Sequence, residues 1–312
     1  MRKISFNLSL INLVAAAVIS IALGSNIVHA TCLYEDFNGW KDCFIKEKLS
    51  TNLNSYDLDT FQSAQFLPKV VELDRNQPEK KLTFQQYAEN IGIEKFRHKI
   101  IKGKEFYFEH KSTLDHIGES YGVEPAILVA LLGMESNYGT NMGSFNVIDS
   151  LASLSFEGRR KEFFEKELLN ALQISKNERL PYDRFRGSWA GAMGQVQFMP
   201  SSYLNFAVDY DQDGVADIWN STEDVFASAA NYLKSNGWQY GHSSVNEAKG
   251  GLECKDNTSI CDIGNDMKLV RLQSEDQAPS FEVGKNFQVL MKWNRSVYFG
   301  LSVLIIAREI SL

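Results

Sequence analysis

The sequence carries little positive charge. Its 312 residues include 32 Lys and Arg against 39 Asp and Glu, which gives a formal net charge of −7. The basic residues are scattered among acids, whereas a surface that binds nucleic acid needs a basic stripe. The sequence also lacks a Ser-His-Asp or Cys-His arrangement, and its histidines show no metal-ligand spacing. These absences exclude nucleic acid as a partner and disfavour a hydrolase that uses a nucleophilic side chain.

Long apolar runs are also scarce, and the most prominent one lies at the N-terminus. Arg2 and Lys3 precede an apolar stretch over about 8–23, and residues 28–30 form a small-x-small ending. This pattern predicts a secretory signal over 1–30, which is cleaved from the mature protein. A retained anchor is the alternative, but polar residues interrupt a run that is already shorter than the roughly 20 residues needed to span a bilayer.

Only four cysteines are present, and they form two close pairs. Cys32 lies near Cys43, and Cys254 lies near Cys261. Four cysteines allow three connectivities, and in an exported protein the two local disulfides are favoured. A zinc site is the alternative, but neither pair has C-x-x-C spacing. Residues 29–31 lack the aliphatic and small residues that precede a lipid-modified cysteine, which favours a soluble exported protein over a lipid-anchored one.

One carboxylate, Glu135, ends an otherwise apolar stretch. Pro125 suits a first helical position and Gly139 is a stop signal, so a helix of about three turns is predicted between them. Residues 126–134 are apolar or small, which predicts a helix buried on all sides. A carboxyl at the end of such a helix loses hydration, so its pKa rises and it becomes suited to general acid chemistry. The alternative is a structural Glu satisfied by the backbone or by an Arg.

The rest of the chain is predicted to be mostly helical. The stretch 104–120 is predicted as one helix leading into the Glu135 helix, and 145–174 as a pair of helices. Further helices are predicted near 224–237 and 296–309. The composition changes over 241–285, where the segments MKLVRL and SFEVG, and then FQVLMKW just beyond, are typical of strands. A small β-rich insertion is therefore expected there.

An acidic loop matches the first half of an EF-hand. Three Asp residues offer oxygen ligands at alternate positions, and Gly214 follows them at the sharp turn. The usual Glu at position twelve is replaced by Asn, and Glu223 or Asp224 could substitute in a longer loop. Oxygen ligands favour a structural Ca²⁺ over a redox or Lewis-acid metal, the alternative being a solvated acidic turn. The predicted ligands are Asp209, Asp211, Asp213, Val215 through its carbonyl, and Asn220.

Two other patterns have both an ordinary and a functional interpretation. Arg159 and Arg160 lie at a predicted helix junction, where they could face solvent or hold a carboxylate-bearing substrate by paired N–H bonds. Glycines at 187, 191 and 194 favour tight packing and close approach of the backbone to a ligand. Four aromatic residues could be core residues or could stack on sugar rings: Tyr87, Tyr232, Trp293 and Tyr298.

Six segments in one order resemble the lytic murein transglycosylase B family. They cover nearly the whole mature chain, which makes the resemblance far more specific than any single motif. The segments are ESNYG at Glu135, LASLSFEGRR at 151–160, GSWAGAMGQVQFMPSSY at 187–203, the DxDxDGxxDIW loop at 209–219, ANYLKSNGW at 230–238 and NFQVLMKWNRS at 286–296.

The resemblance implies an α+β fold that is mainly α. It places a helical domain at 31–118 that is completed by 296–312, a lysozyme-like catalytic core at 119–240 with an EF-hand-like calcium loop at 209–220, and a small β-rich domain at 241–295. It implies a periplasmic enzyme that acts on peptidoglycan glycan strands as a monomer, with no organic cofactor. Membership of cell-wall enzyme complexes is left open.

The resemblance also implies that Glu135 is the only catalytic carboxylate. It would protonate the glycosidic oxygen between MurNAc and GlcNAc. It would then take a proton from the C6 hydroxyl of the same MurNAc as that hydroxyl closes on C1, giving a 1,6-anhydro sugar. The substrate thus supplies the nucleophile that two-carboxylate glycosidases take from a side chain or from water.

Position by position, the resemblance implies a set of substrate-binding residues. Ser188 and Gln197 would line the cleft, and Arg159 and Arg160 would meet lactyl or peptide carboxylates. Two positions differ from the family: Trp293 and Phe299 stand where Tyr is expected, with Tyr298 one place earlier. These differences affect one sugar subsite and leave the acid and base role unchanged. The residues expected to help bind the glycan are Tyr87, Tyr232, Trp293, Asn294 and Tyr298.

Two other functions remain as alternatives to a lytic transglycosylase. A hydrolytic muramidase would require a positioned water and a second carboxylate such as Asp149 or Asp183. A non-catalytic glycan-binding protein would not depend on Glu135 for any activity.

Overall fold

The computed structural model describes residues 32–50, 55–76, 93–248, 254, 260–272 and 280–312, and helices predominate there. The predicted signal at 1–30 lies outside the described residues. The helices are α1 Phe37–Phe44, which continues as a π-helical turn at Ile45–Leu49, α2 Leu58–Ser63, α3 Pro68–Arg75, α4 Ile93–Glu109, α5 Lys111–Tyr121, α6 Pro125–Ser136, α7 Val147–Glu157, α8 Lys161–Asn177, α9 Pro200–Phe206, α10 Thr222–Ser235, α11 Phe287–Trp293 and α12 Val297–Ser311.

Polar side chains begin several of these helices. The carboxylate of Asp57 accepts the N–H of Thr60 at the start of α2, at 3.0 Å. Asn146 accepts two backbone N–H groups at the start of α7, and Ser221 accepts one at the start of α10. Each bond satisfies a donor that the helix itself leaves free. The helix α6 instead begins with Pro125, as predicted, because proline has no N–H to satisfy.

The helix α6 lies at the centre of the fold. All its residues from Ala126 to Gly133 are buried, so the predicted burial on every side is confirmed. The apolar helix α12 lies along it, and α4, α5 and α10 also pack against it. Because α12 comes from the C-terminal end of the chain, the centre of the protein is closed by segments that are far apart in sequence.

Two predicted elements differ from the structure. The stretch 104–120 is not one helix, because α4 ends at Glu109 and α5 begins at Lys111. The segment FQVLMKW is the helix α11 and not a strand. Its buried residues include Phe287 and Leu290, which are three residues apart and so lie on one face of a helix. Periodicity alone cannot separate a strand from a helix in an apolar run of this length.

The β-rich region forms an antiparallel four-stranded sheet. The strands of the protein are β1 Phe145–Asn146, β2 Arg186–Gly187, β3 Val245–Glu247, β4 Ile260–Gly264, β5 Met267–Arg271 and β6 Ser280–Gly284. The strand order of the four-stranded sheet is β3-β6-β5-β4, and Val245 pairs with Val283 while Leu269 pairs with Glu282. The predicted strands MKLVRL and SFEVG are confirmed as β5 and β6. A second, two-stranded sheet pairs β1 with β2.

Both predicted disulfides are present. Cys32 is bonded to Cys43, and Cys254 is bonded to Cys261. The first ties the segment before α1 to α1 itself. Within the described ranges, no single helix is both long and apolar enough to cross a membrane. The helices α5 and α6 reach the required length only together, and they bend by 109° between them.

A fully buried carboxylate, Asp74, ties α3 to the turn between α7 and α8. Its oxygens lie 3.5 Å from Nε of Arg159 and 3.2 Å from Nη2 of Arg160. Its backbone carbonyl also accepts a bond from Nη2 of Arg159 at 2.5 Å. The Arg pair therefore compensates a buried charge, which would otherwise be costly.

We expect Asp74→Asn to lower the free energy of unfolding by about 2–3 kcal/mol in urea denaturation. The loss is smaller than for a fully buried pair because both Arg side chains are half exposed. The matched control is Glu72→Gln on the same helix, whose ion pair with Lys69 is exposed. The control should change stability by less than about 1 kcal/mol. An equal effect of the two substitutions would contradict the structural role of Asp74.

Candidate active site

The carboxyl of Glu135 lies at the end of α6 and opens onto a surface groove. Residues 126–133 of the same helix are buried, and Glu135 itself keeps partial exposure. The groove has a volume of about 530 Å³, a size usual for small-molecule sites. Its lining residues are Glu135, Thr140, Asn141, Met142, Gly143, Ser144, Phe145, Ser188, Trp189 and Gln197.

The chain leaves α6 through three residues in left-handed backbone conformation. Asn137, Tyr138 and Gly139 have φ angles of 52°, 59° and 74°. The N–H of Tyr138 donates to the carbonyl of Leu132 at 3.1 Å, which closes the helix end. The reversal turns the Tyr138 ring back, and its hydroxyl donates to the carbonyl of Lys99 at 2.5 Å. The position of Glu135 is thereby fixed from the turn that follows it.

The helix α4 supports the same helix end. The Lys99 ammonium donates to the carbonyl of Gly133, and Lys102 donates to that of Asn137 at 3.2 Å. Both cations complement the negative end of the helix dipole. A Cβ at Gly133 would lie 2.5 Å from the Tyr138 hydroxyl, and one at Gly103 would lie 2.7 Å from it. The two glycines therefore make the space that Tyr138 occupies.

Burial raises the pKa of Glu135 to about 7, from an ordinary value of 4.5. The main cause is the loss of hydration, which disfavours the charged form. A hydrogen bond from Nε1 of Trp293 to Oε1 of Glu135, 2.7 Å long, lowers the pKa by a smaller amount. The predicted rise is confirmed. Near neutral pH both protonation states are populated, so this carboxyl can give up a proton and take one back.

Close backbone packing shapes the opposite wall of the groove. A Cβ at Gly143 would lie 2.1 Å from the carbonyl oxygen of Gly187, and one at Gly187 would lie 2.3 Å from that of Ala192. Only glycine permits such an approach. The tight packing that the glycine spacing predicted is therefore present, between the loop after α6 and residues 187–197.

Ser188 and Gln197 both line the groove, as expected. The Oγ of Ser188 accepts the N–H of Ala192 at 3.0 Å, which leaves its own O–H to donate. The Nε2 of Gln197 donates to the carbonyls of Met142 and Gly194. These bonds hold the two walls together and orient the remaining polar atoms of both side chains.

The aromatic residues of the C-terminal segment lie around Trp293. The Tyr232 ring meets that indole edge to face at 4.7 Å, and its hydroxyl donates to the carbonyl of Lys292 at 3.0 Å. Asn294 accepts the N–H of Ser296 at 3.0 Å. Tyr298 packs against the core. These residues lie outside the groove wall defined above, and sugar binding by them remains a prediction.

Two of the remaining predicted binding residues, Arg159 and Arg160, are not brought to the groove. The guanidinium groups of Arg159 and Arg160 contact Asp74, and neither residue lines the groove. Tyr87 lies outside the described residues. The substrate-binding role of all three remains a prediction.

The acidic loop brings three carboxylates together. One oxygen each from Asp209, Asp211 and Asp213 can lie within 4.8 Å of the others. Asp209 also accepts the N–H groups of Asp213 and Gly214, so the loop is already curved around its acids. Burial raises the pKa of Glu178, and the nearby negative charge of Asp209 raises it further. This concentration of negative charge suits a hard cation with oxygen ligands.

The later predicted ligands have other partners. The carbonyl of Val215 accepts the N–H of Asp217 at 3.0 Å. The amide nitrogen of Asn220 donates to the carboxylate of Asp217. The buried Asp224 accepts the N–H groups of Tyr210 and Asp217, so it organises the loop backbone. A carbonyl or amide oxygen can still take a cation, and ligation by Val215 and Asn220 remains a prediction.

Sequence reasoning missed two groove residues with suitable chemistry, Asn141 and Trp189. Asn141 follows the helix end in a stretch without a motif, so no residue pattern indicates it. Trp189 lies inside the glycine-rich segment next to Ser188, and an aromatic residue there was an available signal for a sugar-binding groove.

The groove contains one acid among its described lining residues, Glu135. Asp149 is held inside the protein by Oη of Tyr182 at 2.5 Å and by the N–H of Gln65 at 2.8 Å. Asp183 is exposed and is absent from the described groove wall. The geometry therefore fits chemistry that needs a single carboxyl.

Comparisons with known proteins agree with this geometry. The family described as "Transglycosylase SLT domain" matches residues 36–308. Membrane-bound lytic murein transglycosylase B of Escherichia coli (strain K12) is 32% identical over 232 residues. This region is 68% of the present chain and 64% of that relative, so the match spans slightly less than two thirds of the relative's length.

Two solved structures are similar over most of the chain. SltB3 from Pseudomonas aeruginosa, in complex with NAG-NAM-pentapeptide, has a TM-score of 0.80 and 33% identity, covering 89% of this chain and 80% of that one. The lytic transglycosylase Slt35 of Escherichia coli, in complex with calcium, has a TM-score of 0.72 and 28% identity, covering 91% and 97%.

The fold is thus that of lytic transglycosylases with a lysozyme-like core. Because the family match extends over most of the sequence and over the whole groove, the protein belongs to the transglycosylase SLT domain family.

Proposed function

We propose that the protein is a lytic transglycosylase that cleaves the β-1,4 bond between MurNAc and GlcNAc in peptidoglycan and leaves 1,6-anhydro-MurNAc ends. The observation that carries this proposal is Glu135, whose pKa is raised to about 7 and which is the one acid on the described groove wall. The relative solved with NAG-NAM-pentapeptide supports a glycan substrate that carries peptides.

In the first step the neutral Glu135 acts as the acid. Its proton passes to the glycosidic oxygen as the bond from that oxygen to C1 breaks, and the bonding electron pair leaves with the oxygen. The sugar develops positive charge at C1 and the ring oxygen. Burial favours this step, because a carboxyl that is poorly solvated holds its proton at neutral pH and releases it to a substrate oxygen.

In the second step the ionised Glu135 acts as the base. The C6 hydroxyl of the same MurNAc attacks C1, its proton returns to Glu135, and the 1,6-anhydro ring closes. Water is not consumed, and the carboxyl ends in its starting state. A hydrolytic muramidase would instead need a positioned water and a second carboxylate. The hydrogen bonds that hold Asp149 and the exposure of Asp183 argue against that alternative.

Polar groups along the groove supply the binding. Ser188 and Gln197 present hydrogen-bonding atoms beside Glu135, and Trp189 offers an aromatic face for a sugar ring. Beyond the groove, Arg159 and Arg160 would meet peptide or lactyl carboxylates through N–H groups not used by Asp74. Tyr87, Tyr232, Trp293, Asn294 and Tyr298 would complete the glycan site.

We further propose that Ca²⁺ binds the loop at 209–220 and has a structural role. The clustered carboxylates of Asp209, Asp211 and Asp213, and the relative solved with calcium, support this proposal. Neutralising these acids would relieve their mutual repulsion. The carbonyl of Val215 and the amide oxygen of Asn220 would complete the ligand set.

The protein is proposed to act in the periplasm after cleavage of a signal at 1–30. The two disulfides support an oxidising compartment. We propose three structural parts: a helical domain at 31–118 completed by 296–312, a catalytic core at 119–240 and a β-rich domain at 241–295. The enzyme is proposed to work as a monomer on glycan strands.

Glu135→Gln should abolish cleavage of purified peptidoglycan, with the circular dichroism spectrum unchanged. The reason is that an amide cannot donate and recover the proton. Mass spectrometry of wild-type digests should show muropeptides one water lighter than hydrolysis products. The matched control is Asp183→Asn, which removes the exposed acid outside the groove and should keep full activity. Reducing ends without anhydro products would contradict the proposal.

Glu135→Gln should also stabilise the fold above neutral pH. The unfolded carboxyl ionises near 4.5 and the folded one near 7, so the folded state binds more protons between these values. The wild type therefore loses stability as pH rises from about 4.5 to 7, on the order of 1–3 kcal/mol, and Gln does not. Melting temperatures should coincide at pH 4 and differ most at pH 8. A difference in melting temperature between the wild type and Glu135→Gln that does not change with pH would contradict the raised pKa.

Chelation should lower the melting temperature of the protein. At a Ca²⁺ concentration 100 times the Kd, binding contributes about 2.7 kcal/mol, which corresponds to roughly 5–10 °C for a domain of this size. Asp211→Asn should remove most of this difference between Ca²⁺ and chelator. Identical melts of the wild type in both conditions would contradict an occupied site.

A further inference from the structure

An indole supplies the only hydrogen bond to the Glu135 carboxyl among the described residues. The Nε1–H of Trp293 donates to Oε1 at 2.7 Å across 158 positions of sequence. An indole nitrogen can donate and cannot accept, because its lone pair belongs to the aromatic ring. A phenol, by contrast, can do both. The indole of Trp293 can therefore only donate a hydrogen bond to the Glu135 carboxyl and never accept one from it.

We propose that Trp293 is a positioning residue that directs both proton transfers of Glu135 through Oε2. The inference rests on the proposed function of Glu135 and adds the atom that carries the proton. Trp293 was expected to contact sugar, and this role is different: it acts through the carboxyl.

The argument follows from the neutral form of the acid. A neutral carboxyl has one oxygen with a proton and one without. The carbonyl oxygen is a better acceptor than the hydroxyl oxygen, so the indole N–H favours the form in which Oε1 is the carbonyl oxygen. The proton is then on Oε2, which makes no hydrogen bond within the described part of the chain. Oε2 is the oxygen left for the substrate.

The same bond also serves the ionised form. When the proton has moved to the glycosidic oxygen, the N–H still stabilises Oε1 and the carboxyl keeps its orientation. Oε2 then receives the proton of the C6 hydroxyl. One oxygen is thus held throughout and the other does the transfer, so no rotation of the carboxyl is required between the two steps.

Packing fixes the indole itself. Its ring lies 4.7 Å from that of Tyr232 and 5.4 Å from that of Phe198. The Tyr232 hydroxyl donates to the carbonyl of Lys292, and the Lys292 ammonium donates to the carbonyl of Asn236 at 2.9 Å. The end of α11 is therefore tied to the end of α10. Tyr232 thus positions Trp293 in two ways: its ring packs against the indole, and its hydroxyl holds the backbone of the preceding residue, Lys292.

The chain offers a matched control in Trp238. Its Nε1 donates to Oε2 of Glu124, also at 2.7 Å, at the other end of α6. Glu124 has further donors in the N–H of Gly241 and the hydroxyl of Ser243. Trp238→Phe thus removes an indole–carboxyl bond of equal length that has no part in catalysis.

The bond can be tested without substrate. In protein labelled with ¹⁵N at the indole nitrogens, the Trp293 resonance, assigned by its loss in Trp293→Phe, should shift with pH with a midpoint near 7. The shift should be absent in Glu135→Gln. A Trp293 resonance that does not respond to pH in the wild type would overturn the inference. Because no substrate is present, this result is independent of whether the products are anhydro sugars.

Kinetics test the positioning role. Trp293→Phe should lower kcat at least about tenfold with a smaller change in KM, and it should move the alkaline limb of the pH–rate curve upward by about half a pH unit or more, because the ionised form loses its donor. Trp293→Tyr should restore part of kcat, since a phenol can donate. Trp238→Phe should leave both quantities within about twofold of the wild type.

Tyr232→Phe provides a second variant that keeps the packing. It removes only the hydroxyl that holds Lys292. It should lower kcat and move the alkaline limb of the pH–rate curve upward, as Trp293→Phe does, but by smaller amounts.

The inference would be overturned if Trp293→Phe left both kcat and the alkaline limb unchanged, or if Trp293→Phe and Trp238→Phe lowered kcat equally. If wild-type digests gave only hydrolytic products, the anhydro mechanism would fail, while the indole resonance would still decide the contact with Glu135.

Discussion

Desolvation of one carboxyl is the constraint on which the other features depend. Glu135 lies in the last turn of a helix whose residues 126–133 are buried, so its charged form lacks the water that would stabilise it. Such a group must be neutral, or paired, or able to exchange its proton with a ligand. The indole of Trp293, its one hydrogen-bond donor among the described residues, compensates only part of this cost. The groove, the packing of α12 and the left-handed turn after α6 all serve to hold an acid in this costly state.

The central helix and its acid could be predicted because their signals are local. Pro125 begins α6, an unbroken apolar run fills it, and the burial that raises the pKa of Glu135 follows from that composition. The acidic loop was equally local, since its three Asp residues lie at alternate positions. The prediction of a strand for FQVLMKW was wrong, because a segment of seven residues is too short for its apolar pattern to separate a strand from a helix.

The contacts that complete the site could not be predicted, because they join residues far apart in sequence. The sequence does not indicate that the Trp293 indole meets Glu135, or that Arg159 and Arg160 compensate the buried Asp74. Each of these contacts depends on how the helices pack. Asn141 was missed for a related reason: a groove wall needs only a suitable backbone path, and such a path leaves no residue pattern.

The ring of Tyr138 shares its space with two glycines on neighbouring helices. Because a Cβ at Gly103 or Gly133 would collide with its hydroxyl, these three positions cannot change independently during evolution. A homologue with a larger residue at either glycine must carry a smaller one at 138. It must then close the end of the catalytic helix by other means. The three positions should therefore vary together among relatives. Their mutual packing maintains the helix end that orients Glu135.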